Sequence, residues 1–190
     1  PVRDPSEMPE CSDGTVDENP NTAQYRIDII RVPLDAPEQS AVVGYARIFE
    51  GLPRAPGRAG QVFGDDVSPR FAHGPRGCHD LTSYPEFNLV AGSCGTFGIL
   101  LDASDPENPV RLDAKSDLNF SLWHTAVFSN DGRSVVFTDE WGGGTAPRCR
   151  VGDPVHLGGN TVLSIDDNGK MTQHGYVKMM AAQTDTENCV

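Results

Sequence analysis

Basic residues are scarce in this 190-residue chain, where 15 Lys and Arg stand against 27 Asp and Glu for a formal net charge of −12. Those 15 are scattered singly, and phosphate backbones are held by basic stripes, so nucleic acid is excluded as a partner. The acidic surface keeps the chain soluble, with cation attraction as a second role. No apolar run approaches the roughly 20 residues of a membrane helix. The longest patches, such as Gly98-Ile99-Leu100-Leu101, have the length of strands. No CxxC pair exists, which removes the usual thiolate zinc site. There is also no GxSxG elbow, no Walker loop and no GxGxxG after a strand. Ser121, Ser129 and Ser134 have no local partners for nucleophilic chemistry. The chain begins at Pro1 without an initiator Met or a signal peptide, and is read as a mature or excised piece.

What is present is turn chemistry. Gly 20 and Pro 15, against 7% aromatic residues, point to many turns between short strands. Residues 1–22 are polar and acidic and read as an arm or loop. Alternating apolar residues over 25–34 and 41–49 flank Asp35-Ala36-Pro37-Glu38, giving an outer hairpin at 23–50. A long loop follows at 51–76. Strands are then expected at 79–84, 87–93, 97–103 and 109–115, with Asp105-Pro106-Glu107-Asn108-Pro109 repeating the earlier turn. Asp131-Gly132 marks a hairpin between strands at 124–129 and 133–139. After an insertion at 141–160, strands at 161–166 and 172–178 flank Asp166-Asp167-Asn168-Gly169.

His79 and His124 each head the first strand of a four-strand unit, and they lie 45 residues apart, about one blade of a β-propeller. The expected fold is therefore all-β, a β-propeller of four-stranded antiparallel blades. Its parts are the half blade 23–50, a blade at 77–116, a blade at 117–180 and the start of another at 181–190. About two and a half blades cannot close a ring of four to eight. The remaining blades are expected in another chain or a missing segment.

Innermost strands line a propeller's channel, so His79 and His124 would face one axial mouth with Asp80 nearby. Imidazoles beside a carboxylate suit a divalent or transition metal ion. The other reading is that each His hydrogen-bonds a neighbouring blade. Asp139 and Glu140 are further candidate ligands, followed by a flexible Gly142-Gly143-Gly144 run that suits cation binding or a closing loop. Adjacent strand residues point to opposite faces, so these two acids cannot readily share one site. His73, His156 and His174 fall in loops or outer strands and read as surface residues.

Five cysteines leave one unmatched. Cys78 and Cys94 fall at the ends of one hairpin, where a disulfide is geometrically reasonable. A Cys149–Cys189 bridge would pin the insertion, leaving Cys11 without a partner in the chain. The alternative is a set of buried free thiols.

Cys78-His79-Asp80, Gly98-Ile99-Leu100-Leu101-Asp102 with Asp105-Pro106-Glu107-Asn108-Pro109-Val110, and Trp123 through Gly144 resemble secreted bacterial β-propeller proteins of the LVIVD-repeat type. The resemblance implies a secreted or cell-surface location, and it covers most of 24–190. The long loop 51–76 and the insertion 141–160 depart from that pattern. Two functional expectations follow. One is a binding scaffold presenting rim loops to a protein or polysaccharide, with a His-lined channel open to a metal ion. The other is a metal-dependent propeller enzyme, oxidoreductase-like, using the channel histidines.

Overall fold

In the computed structural model, residues 19, 22, 26–53, 77–141 and 152–178 are described. Most of the arm 1–22 and of the loop 51–76 lies outside these residues, as do Cys11, His73, Cys149, Cys189 and the segment 181–190. The described chain is all-β, with two 3-10 turns and ten strands. The strands are β1 (Ile27–Arg31), β2 (Ala41–Ala46), β3 (Asp80–Tyr84), β4 (Leu89–Cys94), β5 (Phe97–Asp102), β6 (Val110–Lys115), β7 (Trp123–Phe128), β8 (Ser134–Asp139), β9 (Asn160–Ile165) and β10 (Met171–Val177). Every pairing is antiparallel between sequence neighbours. The results are a hairpin, β1-β2, and two four-stranded sheets, β3-β4-β5-β6 and β7-β8-β9-β10.

Turn residues set the strand limits. Pro33 removes a backbone donor just after β1, which ends at Arg31 and not at 34. Pro85-Glu86-Phe87 forms a 3-10 turn, and Asn88 adopts the left-handed conformation at φ 54°. β4 therefore starts at Leu89, two residues later than the alternation suggested. Ile48 and Phe49, expected to extend β2, are buried in a turn instead. Burial of an apolar residue does not require a strand.

The middle sheet is covered on both faces, which explains why β4 and β5 read as nearly continuous apolar runs. Phe97, Ile99 and Leu101 pack with Ala46, Ile48, Phe49 and Cys94 toward the first hairpin. Ala91 and Leu100 join Phe120, Trp123, Ala126, Val135, Phe137 and Leu163 toward the third sheet. Close stacking needs a glycine here. A Cβ on Gly98 would lie 2.3 Å from Trp123 Cζ3 and 3.0 Å from Phe137 Cζ. Charged side chains clamp the same layers from β6. Arg111 donates to the carbonyls of Ile48 and Glu50, and the Asp113 carboxylate accepts the Met171 N–H at 2.8 Å.

The two four-stranded sheets also meet along their first strands. His79 Nδ1 lies 3.1 Å from the His124 carbonyl, Thr82 Oγ1 donates to the Ala126 carbonyl at 2.8 Å, and Tyr84 donates to the Asn130 carbonyl at 2.6 Å. Among the described residues, the outermost strands carry exposed apolar side chains. Ile30, Val42 and Tyr45 are exposed on the hairpin, where Arg26 lies over the Tyr45 ring, and Val127 is exposed on the third sheet.

Candidate metal centre

At the seam between the two four-stranded sheets, His79, His124 and Glu140 offer one ligand atom each, all within 4.8 Å of one another. The imidazole rings of His79 and His124 are 4.1 Å apart between centroids and tilted by 42°. His124 Nε2 lies 3.6 Å from Glu140 Oε2, too far for a hydrogen bond and near enough for a shared ion.

Local strand geometry builds this cluster. Trp123 pairs with Asp139 across β7 and β8, and the Trp123 side chain is buried in the core. His124 and Glu140, one residue beyond each, belong to the alternate face of that pair. A hydrogen bond from the Glu140 N–H to the Leu122 carbonyl at 3.0 Å, and burial of Trp141, hold the end of β8 in place. His79 arrives from the neighbouring sheet. Its N–H donates to the Ser93 carbonyl at 2.7 Å, and the Cys78–Cys94 disulfide fixes the residue before it.

The tautomer of His79 follows from its partner. A carbonyl only accepts, so Nδ1 carries the proton in the contact with His124, and in the neutral ring that tautomer leaves the Nε2 lone pair free. This is how ligating histidines are generally oriented, with the second nitrogen donating to a backbone carbonyl. Two neutral imidazoles and one carboxylate suit a divalent transition metal, with positions left for water or an added ligand. A tetrahedral zinc site places its donors roughly 3.3 Å apart. The three side chains are thus slightly open and would close on an ion by side-chain rotation.

The other two candidate ligands are occupied elsewhere. Asp139 Oδ1 accepts the N–H groups of Ser121 and Leu122 at 2.9 and 2.8 Å, and Oδ2 accepts that of Gly158 at 3.1 Å. It organises backbone on the face away from Glu140. Asp80 Oδ2 accepts the Thr125 hydroxyl at 2.6 Å and joins the sheets without joining the cluster. Nothing in the sequence marks the three N–H groups around Asp139, because they come from a loop and an insertion far apart in the chain. Cys78 and Cys94 are bridged, and the Cys149–Cys189 pairing lies outside the described residues. His174 meets Ser164 Oγ at 2.8 Å, and His156 lies beside Tyr176.

An open cleft of about 440 Å³ lies beyond the other end of β3 and is lined by Phe87, Asp102, Asp131 and Asp166 among others. Its carboxylates serve their own turns. Asp102 accepts from Ser104, Asp131 from Ser129 and the Arg133 N–H, and Asp166 from the Asn168 and Lys170 N–H groups. The Ser104 hydroxyl and N–H hold the Asp102 carboxyl below its ordinary pKa, and Ser129 does the same for Asp131. Among the described residues, no helix is long and apolar enough to cross a membrane. No family model, curated protein or solved structure matches the chain.

Proposed function

We propose that the three stacked sheets are blades of a secreted or cell-surface β-propeller of the LVIVD-repeat type, acting as a binding scaffold that holds a divalent transition metal at the seam of two blades. The observation that carries the metal reading is the convergence of His79, His124 and Glu140, with His79 Nε2 left free by the Nδ1 contact. Sequential four-stranded meanders, face-to-face packing and adjacent first strands support the blade assignment. The exposed Ile30, Val42 and Tyr45 on the outer side of the hairpin support a further blade there, from another chain or segment. The disulfide fits an oxidising compartment.

Isothermal titration of the chelator-stripped chain with Zn²⁺ tests the site. One equivalent should bind, and His79→Ala, His124→Ala and Glu140→Gln should each weaken binding at least tenfold. No binding to the parent chain would refute the metal reading. The open coordination positions favour one further reading, a metal-dependent enzyme of oxidoreductase type. It requires turnover that disappears with the metal and returns with it.

A further inference from the structure

Of the three ligands, His79 has the weakest attachment to its own sheet. His124 and Glu140 flank the Trp123–Asp139 pair, where a buried indole and three N–H groups on the Asp139 carboxylate hold both strands. His79 precedes an edge strand, since β3 pairs only with β4. Its main chain is held by one hydrogen bond, to Ser93, and by the bridge from the adjacent Cys78 to Cys94. The two sulfurs differ in surroundings. Cys94 is fully buried in the core with Phe97 and Ile99, whereas Cys78 is only partly buried, beside an exposed His79.

We propose that the Cys78–Cys94 disulfide is a redox latch on the metal site. The bridge holds His79 in ligating position, and its reduction by a dithiol lowers metal affinity. A dithiol thiolate attacks the sulfur of Cys78, the less buried of the two cysteines, forming a mixed disulfide as the Cys78–Cys94 bond breaks. Cys94 leaves with the electron pair and takes up a proton. The second thiol of the dithiol then displaces Cys78, which leaves as a thiol, and the dithiol is oxidised to its own disulfide. Once the bridge opens, the Ser93 bond is the main-chain tie left at this strand end, with the Nδ1 contact to the His124 carbonyl and the Asp80–Thr125 bond as its side-chain ties to the seam, and strand ends held this way fray. His124 and Glu140 stay in place, so the site loses one ligand of three. This inference rests on the metal reading, and its test separates the two.

Zn²⁺ is titrated calorimetrically into the 190-residue chain in its oxidised form, and after dithiothreitol treatment with anaerobic removal of the reductant. It is also titrated into Cys78→Ser/Cys94→Ala. The oxidised chain should bind one equivalent, while the reduced chain and the double variant should bind at least tenfold more weakly. Reoxidation should restore the parent chain and leave the variant unchanged. A chain carrying Cys11→Ser, Cys149→Ser and Cys189→Ser repeats the reduction cycle with Cys78 and Cys94 as its only thiols, and decides the matter if the double variant does not fold. A difference under threefold between oxidised and reduced forms overturns the latch. Tighter binding after reduction also overturns it, because the freed thiols would then be acting as ligands. No binding in the oxidised chain overturns the metal reading itself.

Discussion

The Thr125 hydroxyl donates to Asp80 Oδ2 at 2.6 Å across 45 residues of chain, the same offset that separates the two seam histidines. One sheet supplies the carboxylate and the next supplies the hydroxyl. The bond is charge-assisted and half-buried, a class worth about 1.5–3 kcal/mol. Asp80→Asn, Thr125→Val and the double variant, compared by urea unfolding, should show a coupling energy of about 1–2 kcal/mol. Additive effects would show that the seam does not depend on this pair.

Gly98 makes the second prediction. Trp123 is 2% exposed and Phe137 is fully buried, so neither ring can retreat from a methyl group placed 2.3 Å from the first and 3.0 Å from the second. Gly98→Ala should cost about 2–3 kcal/mol by overpacking, read as a lower midpoint at unchanged m-value. The same substitution at Gly152, where nothing lies within 4 Å, should be nearly neutral.

Asp139 is the third. Its carboxylate receives three N–H groups. Asn offers one acceptor oxygen and turns an NH2 toward a donor, so Asp139→Asn should destabilise by about 2–3 kcal/mol. Because Asp139 sets the end of β8, Zn²⁺ binding at the neighbouring Glu140 should weaken as well. Thermal denaturation and calorimetry on one sample measure both.

The fourth concerns acid. Partial burial pushes the Asp113 carboxyl up, but the Met171 and Ala114 N–H groups and the Lys115 ammonium overcome it and leave the pKa below its ordinary 3.8. The folded state therefore favours the ionised form more than the unfolded chain does. That stability is fully present above pH 4 or so and is lost as pH falls through the depressed folded value. Asp113→Asn should destabilise the chain at neutral pH and flatten the acid limb of its stability profile. An acid limb unchanged from the parent would assign that limb to other carboxylates.

Much of this architecture was legible because turn residues and alternation are local signals. Asp131-Gly132 placed the β7-β8 hairpin, and the alternation at 109–115 and 161–166 placed β6 and β9 to within a residue. Asn88 defeated the alternation at the start of β4, since a left-handed residue between Pro85 and Leu89 has no apolar signature. The candidate site was legible as a set of residue types and not as an arrangement. The 45-residue spacing brought His79 and His124 to comparable positions, and adjacency in sequence made Asp139 and Glu140 look equivalent. Strand alternation separates those two acids, and only the packing of the seam shows which one faces the histidines.

The contacts of His79, Thr82 and Tyr84 with the carbonyls of His124, Ala126 and Asn130 have an effect beyond joining two sheets. The first strand of a sheet ordinarily presents unpaired acceptors on which an extended peptide can build another strand. At this edge, side chains already occupy two acceptors of β7, those of His124 and Ala126, and that of Asn130 just beyond its end. An extended segment from a partner or from a second copy therefore meets a capped border, and recognition here is left to side chains and to any ion they hold.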